Sequence, residues 1–350
     1  MPSPGQTIRV LVVDDSSSTR RQLIATLTSD PAITIAGEAS NGAEAVALAS
    51  SLKPDVVTMD LEMPVMGGIE AIEKIMLASP VPILVVTSQA GVRTAFAAVS
   101  KGALDVFEKE KLDAARSAAL IRKVKTLSRI SVDGALKAVG QRIGKAPSLV
   151  AAQRMEGARG KIVAIASSTG GPQALNAILA QLPESFPAPI VISQHVIGGF
   201  SQGMADWLDA GAPPKVLIAA SGTVLAPGCA YLCPSEYSMK ITRQGTIHLV
   251  PAAAGQVYHP SCNTMLTSVA EAYGPEALGL ILSGMGDDGV EGMRAIKLAG
   301  GFTLAQDEQS SVVYGMNGVA VKQGVIDKVL PLSEIPAELL RRTFQGEGQP

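Results

Sequence analysis

The segment IVAIASSTGGP, residues 162–172, predicts how the second half of this 350-residue chain folds. An apolar run rich in β-branched residues ends at two serines and a threonine, and two glycines and a proline follow. The pattern is typical of a buried strand, a tight turn and a helix from Gln173 to Leu182. A hydroxyl at such a turn lies beside free N–H groups of the helix N-terminus, so a serine could attack a carbonyl while those groups hold the oxyanion. The alternative is that Ser168 or Thr169 only caps the helix.

Strand and helix patterns alternate after this segment and predict a doubly wound, mostly parallel α/β domain over residues 161–345. A stretch rich in turn residues, 224–251, contains a predicted hairpin at Lys240 to His248. Further predicted strands are Pro189 to Ser193, Lys215 to Ala219, Ala277 to Leu282 and Phe302 to Ala305, and predicted helices are Gln202 to Leu208, Asn263 to Tyr273 and Val290 to Leu298.

The first 127 residues form a separate α/β series. Five alternations of strand and helix imply a parallel sheet covered on both faces. Residues 128–160 mix Ser, Gly, Ala, Lys and Arg with weak periodicity, which predicts a partly ordered linker with at most a short helix from Val132 to Val139. The predicted strands of the first domain are Ile8 to Val13, Ile33 to Ala39, Val56 to Met59, Val81 to Val86 and Leu104 to Phe107.

The bulk composition argues against several classes of protein. The formal net charge is −2, so no basic surface points to nucleic acid. No apolar run approaches the roughly 20 residues of a membrane span, which predicts no membrane insertion. The segment Met1 to Arg9 lacks the pattern of a secretion signal. The three cysteines have no C-x-x-C spacing and an odd count, so we expect a cytoplasmic protein with reduced thiols.

Three polar residues of the second domain follow buried strands that open toward helices: Ser168, His195 and Asp288. In a parallel sheet the ends of such strands meet at one edge, where a site is expected. The combination suits nucleophilic catalysis, because a serine needs a base to take its proton. A histidine has a suitable pKa for that task, and a carboxylate can fix its tautomer.

The other two histidines are weaker candidates for the base. His248 lies in the predicted hairpin and is expected to face solvent. His259 precedes Pro260 in a loop and could line the cleft, but no strand end positions it.

Polar residues also follow the strands of the first domain. Asp14 and Asp15 close the first strand and Asp60 closes the third. Carboxylates that converge at one sheet edge repel one another unless a cation joins them, and oxygen-only ligands suit Mg²⁺. Thr87 and Lys109, at the ends of the last two strands, would face an anion beside Asp60. The alternative is a flavodoxin-like domain with acidic loops that is not phosphorylated.

The first domain resembles the receiver domain of response regulators, on the motifs LVVDDS (11–16), MDLEMP (59–64), Thr87-Ser88 and Lys109. The resemblance implies a flavodoxin-like fold with Asp60 as phosphoacceptor. It implies an Mg²⁺ site formed by Asp14, Asp15, Asp60 and the Glu62 carbonyl, and phosphoryl sensing by Thr87 and Lys109. Two positions depart from the family pattern: Glu110 stands where Pro is usual, and Gly67 where Asp is common.

The second domain resembles the catalytic domain of the chemotaxis protein-glutamate methylesterase (CheB) family. The matching motifs are ASSTGGP (166–172), QH (194–195) with GF (199–200), and GMGDDG (284–289), and YHPS (258–261) is a looser match. The motif is not the G-x-S-x-G turn of α/β-hydrolases. The resemblance selects Ser168 over Ser167 and Asp288 over Asp287. It implies a Ser168–His195–Asp288 triad and an oxyanion hole that uses the Met285 backbone, with a donor near Thr169 or His195.

Receiver, linker and catalytic domain together make up the full architecture of that family. The resemblance implies a phosphorylation-activated serine hydrolase that demethylates glutamate methyl esters, and deamidates certain glutamines, on chemoreceptors. A chemotaxis histidine kinase would be the phosphodonor. Mg²⁺ would belong to the receiver, and ester hydrolysis would need no cofactor.

Two other functions compete with the hydrolase. One is a phosphorylation-responsive adaptor whose second domain binds a partner and whose triad is vestigial. The other is a DNA-binding response regulator, which the negative net charge and the lack of a basic recognition helix disfavour. The sequence leaves the oligomeric state open.

Overall fold

The computed structural model describes residues 7–88, 92–109, 113–130, 132, 160–196, 199–251 and 258–344. Contacts between Cα atoms divide the chain into two compact units, residues 1–137 and 138–350. Most of the predicted linker, with its short helix, lies outside the described residues, as does Glu110. The predicted boundaries at 127 and 160 therefore stay a prediction.

The first unit is a five-stranded parallel sheet with strand order β2-β1-β3-β4-β5. This is the flavodoxin-like order, with a switch in direction beside β1, and it confirms the predicted fold. The strands are β1 (Ile8–Val13), β2 (Ile33–Ala39), β3 (Val56–Met59), β4 (Ile83–Thr87) and β5 (Asp105–Glu108), and the helices are α1 (Ser17–Thr28), α2 (Gly42–Leu52), α3 (Gly68–Ala78), α4 (Val92–Ser100) and α5 (Ala114–Leu127).

The register of the first sheet brings the ends of its central strands together. Val13 of β1 pairs with Met59 of β3, and the N–H of Asp60 donates to the carbonyl of Val13 over 3.0 Å. β3 and β4 are buried along their whole length, as expected for strands covered by helices on both faces. Asp14 and Asp60 therefore leave the sheet side by side.

The second unit contains a seven-stranded parallel sheet with strand order β14-β13-β12-β6-β7-β9-β8. Its strands are β6 (Ile162–Ser167), β7 (Ile190–Gln194), β8 (Lys215–Ile218), β9 (Cys229–Leu232), β12 (Ala277–Ile281), β13 (Phe302–Gln306) and β14 (Lys328–Leu330), and a separate antiparallel hairpin consists of β10 (Tyr237–Ile241) and β11 (Ile247–Pro251). The helices are α6 (Gly171–Leu179), α7 (Ser201–Gly211), α8 (Cys262–Tyr273), α9 (Val290–Leu298), α10 (Met316–Lys322) and α11 (Ile335–Phe344).

β6 is the central strand of this sheet, and each of its six residues is buried. The order of strands runs outward from it in both directions, so β6 marks the topological switch at which ligands bind in open α/β sheets. Ala166 of β6 pairs with Ser193 of β7 and with Ile281 of β12. The loops after these three strands therefore leave the sheet at the same edge.

The turn after β6 corrects the prediction for the helix start. α6 begins at Gly171, with Gly170 as its N-cap residue at φ 79°, a left-handed conformation that favours glycine. A Cβ on Gly170 would lie 2.4 Å from Cβ of Val312. The alternative that Ser168 or Thr169 fills the cap position is therefore wrong.

Two strands of the seven-stranded sheet, β9 and β14, were absent from the sequence prediction. β9 lies between β7 and β8, inside the stretch that the sequence indicates only as turns and a hairpin. Its four residues, Cys-Ala-Tyr-Leu, stand between Pro227-Gly228 and Pro234, so local pattern gives little strand signal. β14, α10 and α11 also lie beyond the last element that the sequence predicts.

Within the described ranges, no helix is both long enough and apolar enough to cross a bilayer. Cys229, Cys233 and Cys262 are free thiols.

Candidate functional site

Ser168 lies in the tight turn between β6 and α6. Its N–H donates to the carbonyl of Ser283 over 3.0 Å, and its carbonyl accepts from the N–H of Gly171 at 2.7 Å. A Cβ on Gly284 would lie 2.6 Å from Cβ of Ser168, so the turn after β12 approaches the serine closely only because residue 284 is glycine. The serine is 9% exposed, and hydrogen bonds to both its N–H and its carbonyl fix its backbone.

His195 and Asp288 meet at the same edge. His195 Nε2 lies 2.8 Å from Asp288 Oδ2. Since a carboxylate carries no proton, Nε2 carries the hydrogen of this bond, and Nδ1 is left as the acceptor of the ring. His195 follows β7, and its N–H donates to the carbonyl of Ser167 over 2.9 Å, which places the base next to the end of β6.

The N-terminus of α8 holds Asp288 in place. The N–H of Cys262 donates to Oδ2 over 2.7 Å, and the N–H of Asn263 donates to Oδ1 over 2.9 Å. Burial favours the neutral carboxyl, but the hydrogen bond and charge of His195 and these two N–H groups outweigh it and lower the pKa of Asp288. Asp288 is therefore an ionised, fixed partner for the imidazole.

Ser167 and Ser168, and likewise Asp287 and Asp288, have different environments in the structure. Ser167 is fully buried, and its hydroxyl donates to Gln194 Oε1 over 2.7 Å. Asp287 is exposed, and the hydroxyl of Tyr258 lies 3.4 Å from its Oδ1. The site geometry therefore favours Ser168 as the nucleophile and Asp288 as the partner of His195, and these roles stay predictions.

The side chains of the predicted triad are not fully linked. No hydrogen bond joins the Ser168 hydroxyl to His195 in the part of the chain that the structure describes. The backbones are linked instead: Nε2 of Gln194 donates to the carbonyl of Ser168 at 2.8 Å and to the carbonyl of His195 at 2.9 Å.

Two contacts of His195 were not foreseen from the sequence. Tyr258 stacks on the imidazole, with ring centroids 5.0 Å apart and an angle of 12° between the planes. The thiol of Cys262 lies 3.5 Å from Nε2. YHPS (258–261) was a weak signal for the first contact, but nothing in the periodicity of the chain points to Cys262. Of the other histidines, His248 is exposed, as expected, and His259 is half-buried before a cis proline.

Thr169 and Met285 flank Ser168 on the two turns. The carbonyl of Thr169 accepts from the hydroxyl of Ser283 at 2.7 Å. Met285 follows Gly284, whose carbonyl accepts from the N–H of Met316 at 2.9 Å. Both predicted oxyanion residues therefore lie on ordered backbone next to the serine.

The acidic residues of the first unit cluster at the ends of β1 and β3. Asp14 and Asp60 are buried and Asp15 is exposed, and their carboxylates offer oxygens within 4.8 Å of one another. Lys109 Nζ donates to Asp14 over 2.9 Å and to Asp60 over 2.7 Å. The N–H of Lys109 donates to the carbonyl of Thr87 over 3.0 Å, so Thr87, buried at the end of β4, lies beside the cluster.

The charges of this cluster favour a cation. Burial raises the pKa of Asp60, and the charge of Asp14 adds to this, although Lys109 opposes it. The positive charge of Lys109 therefore does not fully compensate the free-energy cost of keeping Asp14 and Asp60 ionised in a buried position. An oxygen-only donor set with one solvent-facing side suits Mg²⁺. Glu62, whose carbonyl is predicted to be a further ligand, is an exposed residue in the loop after Asp60.

Comparison with known proteins identifies both halves of the chain. Residues 163–339 match the family model CheB methylesterase, and residues 10–120 match the response regulator receiver domain. The chain is 45% identical to protein-glutamate methylesterase/protein-glutamine glutaminase 3 of Paramagnetospirillum magneticum over 99% of both chains. It is 41% identical to a protein of that name, numbered 4, from Myxococcus xanthus over 97% of this chain and 98% of the relative.

A solved structure agrees with these matches. The Thermotoga maritima CheB methylesterase catalytic domain is similar over 53% of this chain and 99% of its own length, with a TM-score of 0.51 and 36% identity. The chain therefore belongs to the CheB methylesterase family and carries a response regulator receiver domain ahead of its methylesterase domain.

Proposed function

We propose that this protein is a phosphorylation-activated serine hydrolase that removes methyl groups from glutamate methyl esters, and deamidates certain glutamines, on the cytoplasmic helices of chemoreceptors. The observation that carries the proposal is the 2.8 Å contact between His195 Nε2 and Asp288 Oδ2 beside the turn that bears Ser168. The names of the relatives support methyl esters of protein glutamates and protein glutamines as the reacting groups. The protein would work in the cytoplasm, with its receiver domain at 1–127, a linker, and its catalytic domain at 161–345.

The reaction begins with the serine hydroxyl. Ser168 Oγ attacks the ester carbonyl, and Nδ1 of His195 accepts the proton, because Nε2–H is bound to Asp288. The carbonyl π electrons move to oxygen, and the N–H of Met285, with a donor near Thr169, stabilises the oxyanion. Loss of one such donor typically costs about 10²–10³ in rate.

Collapse of this intermediate expels the leaving group. The imidazolium returns its proton to the methoxy oxygen, and methanol leaves an acyl-enzyme on Ser168. Water then attacks the acyl carbon with His195 again as base, which releases glutamate and restores the serine. With glutamine the leaving group is ammonia. Asp288 stays ionised and stabilises the imidazolium in both halves.

The receiver would control this activity through Asp60. A chemotaxis histidine kinase would phosphorylate Asp60, and Thr87 and Lys109 would bind the phosphoryl oxygens. Asp14, Asp15, Asp60 and the carbonyl of Glu62 would hold Mg²⁺, which neutralises the charge that collects there. The phosphorylated state would then shift the receiver toward a conformation that permits hydrolysis.

Reaction with a fluorophosphonate tests the hydrolase against the adaptor with a vestigial triad. We expect the probe to modify Ser168 covalently, and Ser168→Ala to abolish the modification while Ser167→Ala retains it. An unmodified, folded wild-type protein would favour the adaptor. Modification that persists in Ser168→Ala would contradict the assigned nucleophile.

A further inference from the structure

Cys262 has no side-chain role in the proposed reaction, yet its thiol lies against two members of the triad. Its Sγ is 3.5 Å from Nε2 of His195 and 3.3 Å from the carbonyl of Ser193. The thiol sulfur, the imidazole nitrogen and a carboxylate oxygen of Asp288 all lie within 4.8 Å of one another. Three different metal-binding side chains therefore converge on one point.

The spacing of these donor atoms suits a tetrahedral metal ion. With zinc bond lengths of about 2.0–2.3 Å, tetrahedral angles put nitrogen and sulfur about 3.6 Å apart and nitrogen and oxygen about 3.4 Å apart. The observed Sγ–Nε2 separation is 3.5 Å, and Nε2–Oδ2 is 2.8 Å. Of these two separations, Sγ–Nε2 already fits, and Nε2–Oδ2 has to widen by roughly half an ångström.

We propose that His195, Cys262 and Asp288 form a zinc-binding site, and that zinc bound there switches the hydrolase off. The inhibition rests on the proposed function, whereas the binding site does not. Sulfur and imidazole donors select zinc over Mg²⁺. The oxygen-only cluster of the receiver has the opposite preference, so the two metals would bind to different units of the same chain.

Protons and charges balance in this step. The thiol loses its proton to water, and the imidazole proton moves from Nε2 to Nδ1. Bonds from zinc to Sγ, Nε2 and Oδ2 replace the hydrogen bond between His195 and Asp288. One thiolate and one carboxylate then compensate the two charges of zinc. Burial raises the pKa of the Cys262 thiol, so the cation must supply the stabilisation of the thiolate.

The tautomer explains why the enzyme would stop. The free enzyme needs the lone pair of Nδ1 to accept the proton of Ser168. With zinc on Nε2, the neutral ring carries its hydrogen on Nδ1 and has no lone pair left for the serine. The ion approaches in the plane of the ring, so the stack of Tyr258 on its face can persist. The His195 side chain is 12% exposed, so the ring is not fully enclosed by protein.

Cobalt(II) titration of the full chain tests the binding site without relying on catalysis. Cobalt takes zinc sites and produces a charge-transfer absorption when it binds a thiolate. We expect this band in the wild type and its loss in Cys262→Val and Cys262→Ser, each checked for folding by circular dichroism. Cys229 and Cys233 remain in both variants as internal controls. No band in the wild type, or an equal band in both variants, overturns the site.

Zinc dependence of fluorophosphonate labelling tests the inhibition. Each protein is compared with its own zinc-free rate. We expect zinc to slow labelling of the wild type. Cys262→Val should raise the zinc concentration needed for inhibition at least about tenfold. Loss of a residue that only hydrogen-bonds to a metal ligand already lowers metal affinity by about 10- to 100-fold, so loss of a ligand should cost at least the lower value. Equal inhibition of both proteins overturns the assignment of Cys262 as a ligand.

A wild type that binds cobalt but labels at the same rate with and without zinc overturns the inhibition. A wild type that never labels contradicts the proposed function, while the cobalt band still decides the site.

Discussion

Nε2 of Gln194 donates a 2.8 Å hydrogen bond to the carbonyl of Ser168, the residue assigned as nucleophile. The same amide nitrogen also donates to the carbonyl of His195, and the amide oxygen accepts from Ser167. A Cβ on Gly171 would lie 2.1 Å from that oxygen, so the helix start leaves room for this side chain. One buried amide therefore joins the nucleophile and the base in the absence of a hydrogen bond between their side chains.

Gln194→Glu should slow labelling of Ser168 by roughly 10- to 100-fold, since small displacements of catalytic groups cost rates of this order. The carboxylate is nearly isosteric but has no N–H groups, and it repels both carbonyl oxygens. Ser167→Ala is the matched control, because it removes only the bond to the amide oxygen. Rates of fluorophosphonate labelling, with thermal unfolding as a check of the fold, make the comparison. Equal rates in Gln194→Glu and the wild type would show that the amide does not position the pair.

Asp288→Asn should reduce hydrolysis by about 10⁴-fold, the scale seen when the carboxylate that orients a catalytic histidine is neutralised. The amide can present its NH₂ to Nε2 and so favour the wrong tautomer. Asp287→Asn is the control, because the neighbouring carboxylate is exposed and touches Tyr258 rather than the imidazole. Steady-state ester hydrolysis measures both. Similar losses in the two variants would contradict the assignment of Asp288.

Tyr258→Ala should lower the rate by a few-fold to about tenfold, which is the worth of a stacked aromatic pair. Tyr258→Phe keeps the ring over His195 and removes only the hydroxyl near Asp287. We therefore expect Tyr258→Phe to stay close to the wild type. The pH profile of kcat/KM for both variants shows whether the effect acts through the imidazole. A larger loss in Tyr258→Phe than in Tyr258→Ala would mean that the hydroxyl, and not the stack, matters.

Removal of Mg²⁺ should abolish stimulation by acetyl phosphate without lowering the unstimulated rate. Asp14, Asp15 and Asp60 supply only oxygen donors, and they belong to the unit without the triad. After EDTA treatment, wild type and Asp60→Ala should hydrolyse ester at the same rate with or without the phosphodonor. Stimulation that survives EDTA would show that phosphorylation of this receiver does not need the metal.

The stability of the second unit should fall as the pH drops from about 4.5 toward 2. Hydrogen bonds from Arg341, then Arg342 and Lys328, lower the pKa of Glu338 from 4.5 to about 2. Because the folded pKa lies below the unfolded one, the stabilisation is present above pH 4.5 and is lost as the carboxylate protonates in the folded state. One pKa unit corresponds to about 1.4 kcal/mol of stability. Solvent screens the partly exposed partners of Glu338, so we expect this carboxylate to contribute about 2 kcal/mol to the free energy of unfolding.

Urea unfolding followed by fluorescence of Trp207 measures this effect. Trp207 is the one tryptophan of the sequence and lies on α7 of the second unit. Glu338→Gln should be less stable at neutral pH and should show a flatter pH dependence over the same range. A wild-type stability that is constant from pH 5 to about 3 would contradict the role of this carboxylate.

The sequence predicted both sheets and the edges at which the site residues meet, because buried strands and the residues after them leave a local pattern. Ser168, His195 and Asp288 could be found in this way, and the resemblance chose between neighbouring residues. The sequence did not show which groups position Asp288 and keep it ionised. The N–H groups that bind it belong to Cys262 and Asn263, 25 or more residues earlier in the chain.

Contacts that depend on tertiary packing were missed for the same reason. β9 is a strand because it lies between β7 and β8, and its four residues alone do not predict it. Cys262 looks like an ordinary core residue of α8, and only the fold brings its thiol to His195. The close approach of Val312 to Gly170 also leaves no room for a side chain there, and Val312 is distant in sequence. The roles of the site residues stay predictions that the experiments above decide.

Methanol release from methylated receptor membranes tests the central claim most directly. The protein is assayed with and without acetyl phosphate and Mg²⁺, beside Ser168→Ala and Asp60→Ala. We predict release that rises with the phosphodonor, loses that rise in Asp60→Ala and disappears in Ser168→Ala. Release by the wild type that matches Ser168→Ala, with a folded protein and receptors that a known methylesterase can demethylate, would contradict the account.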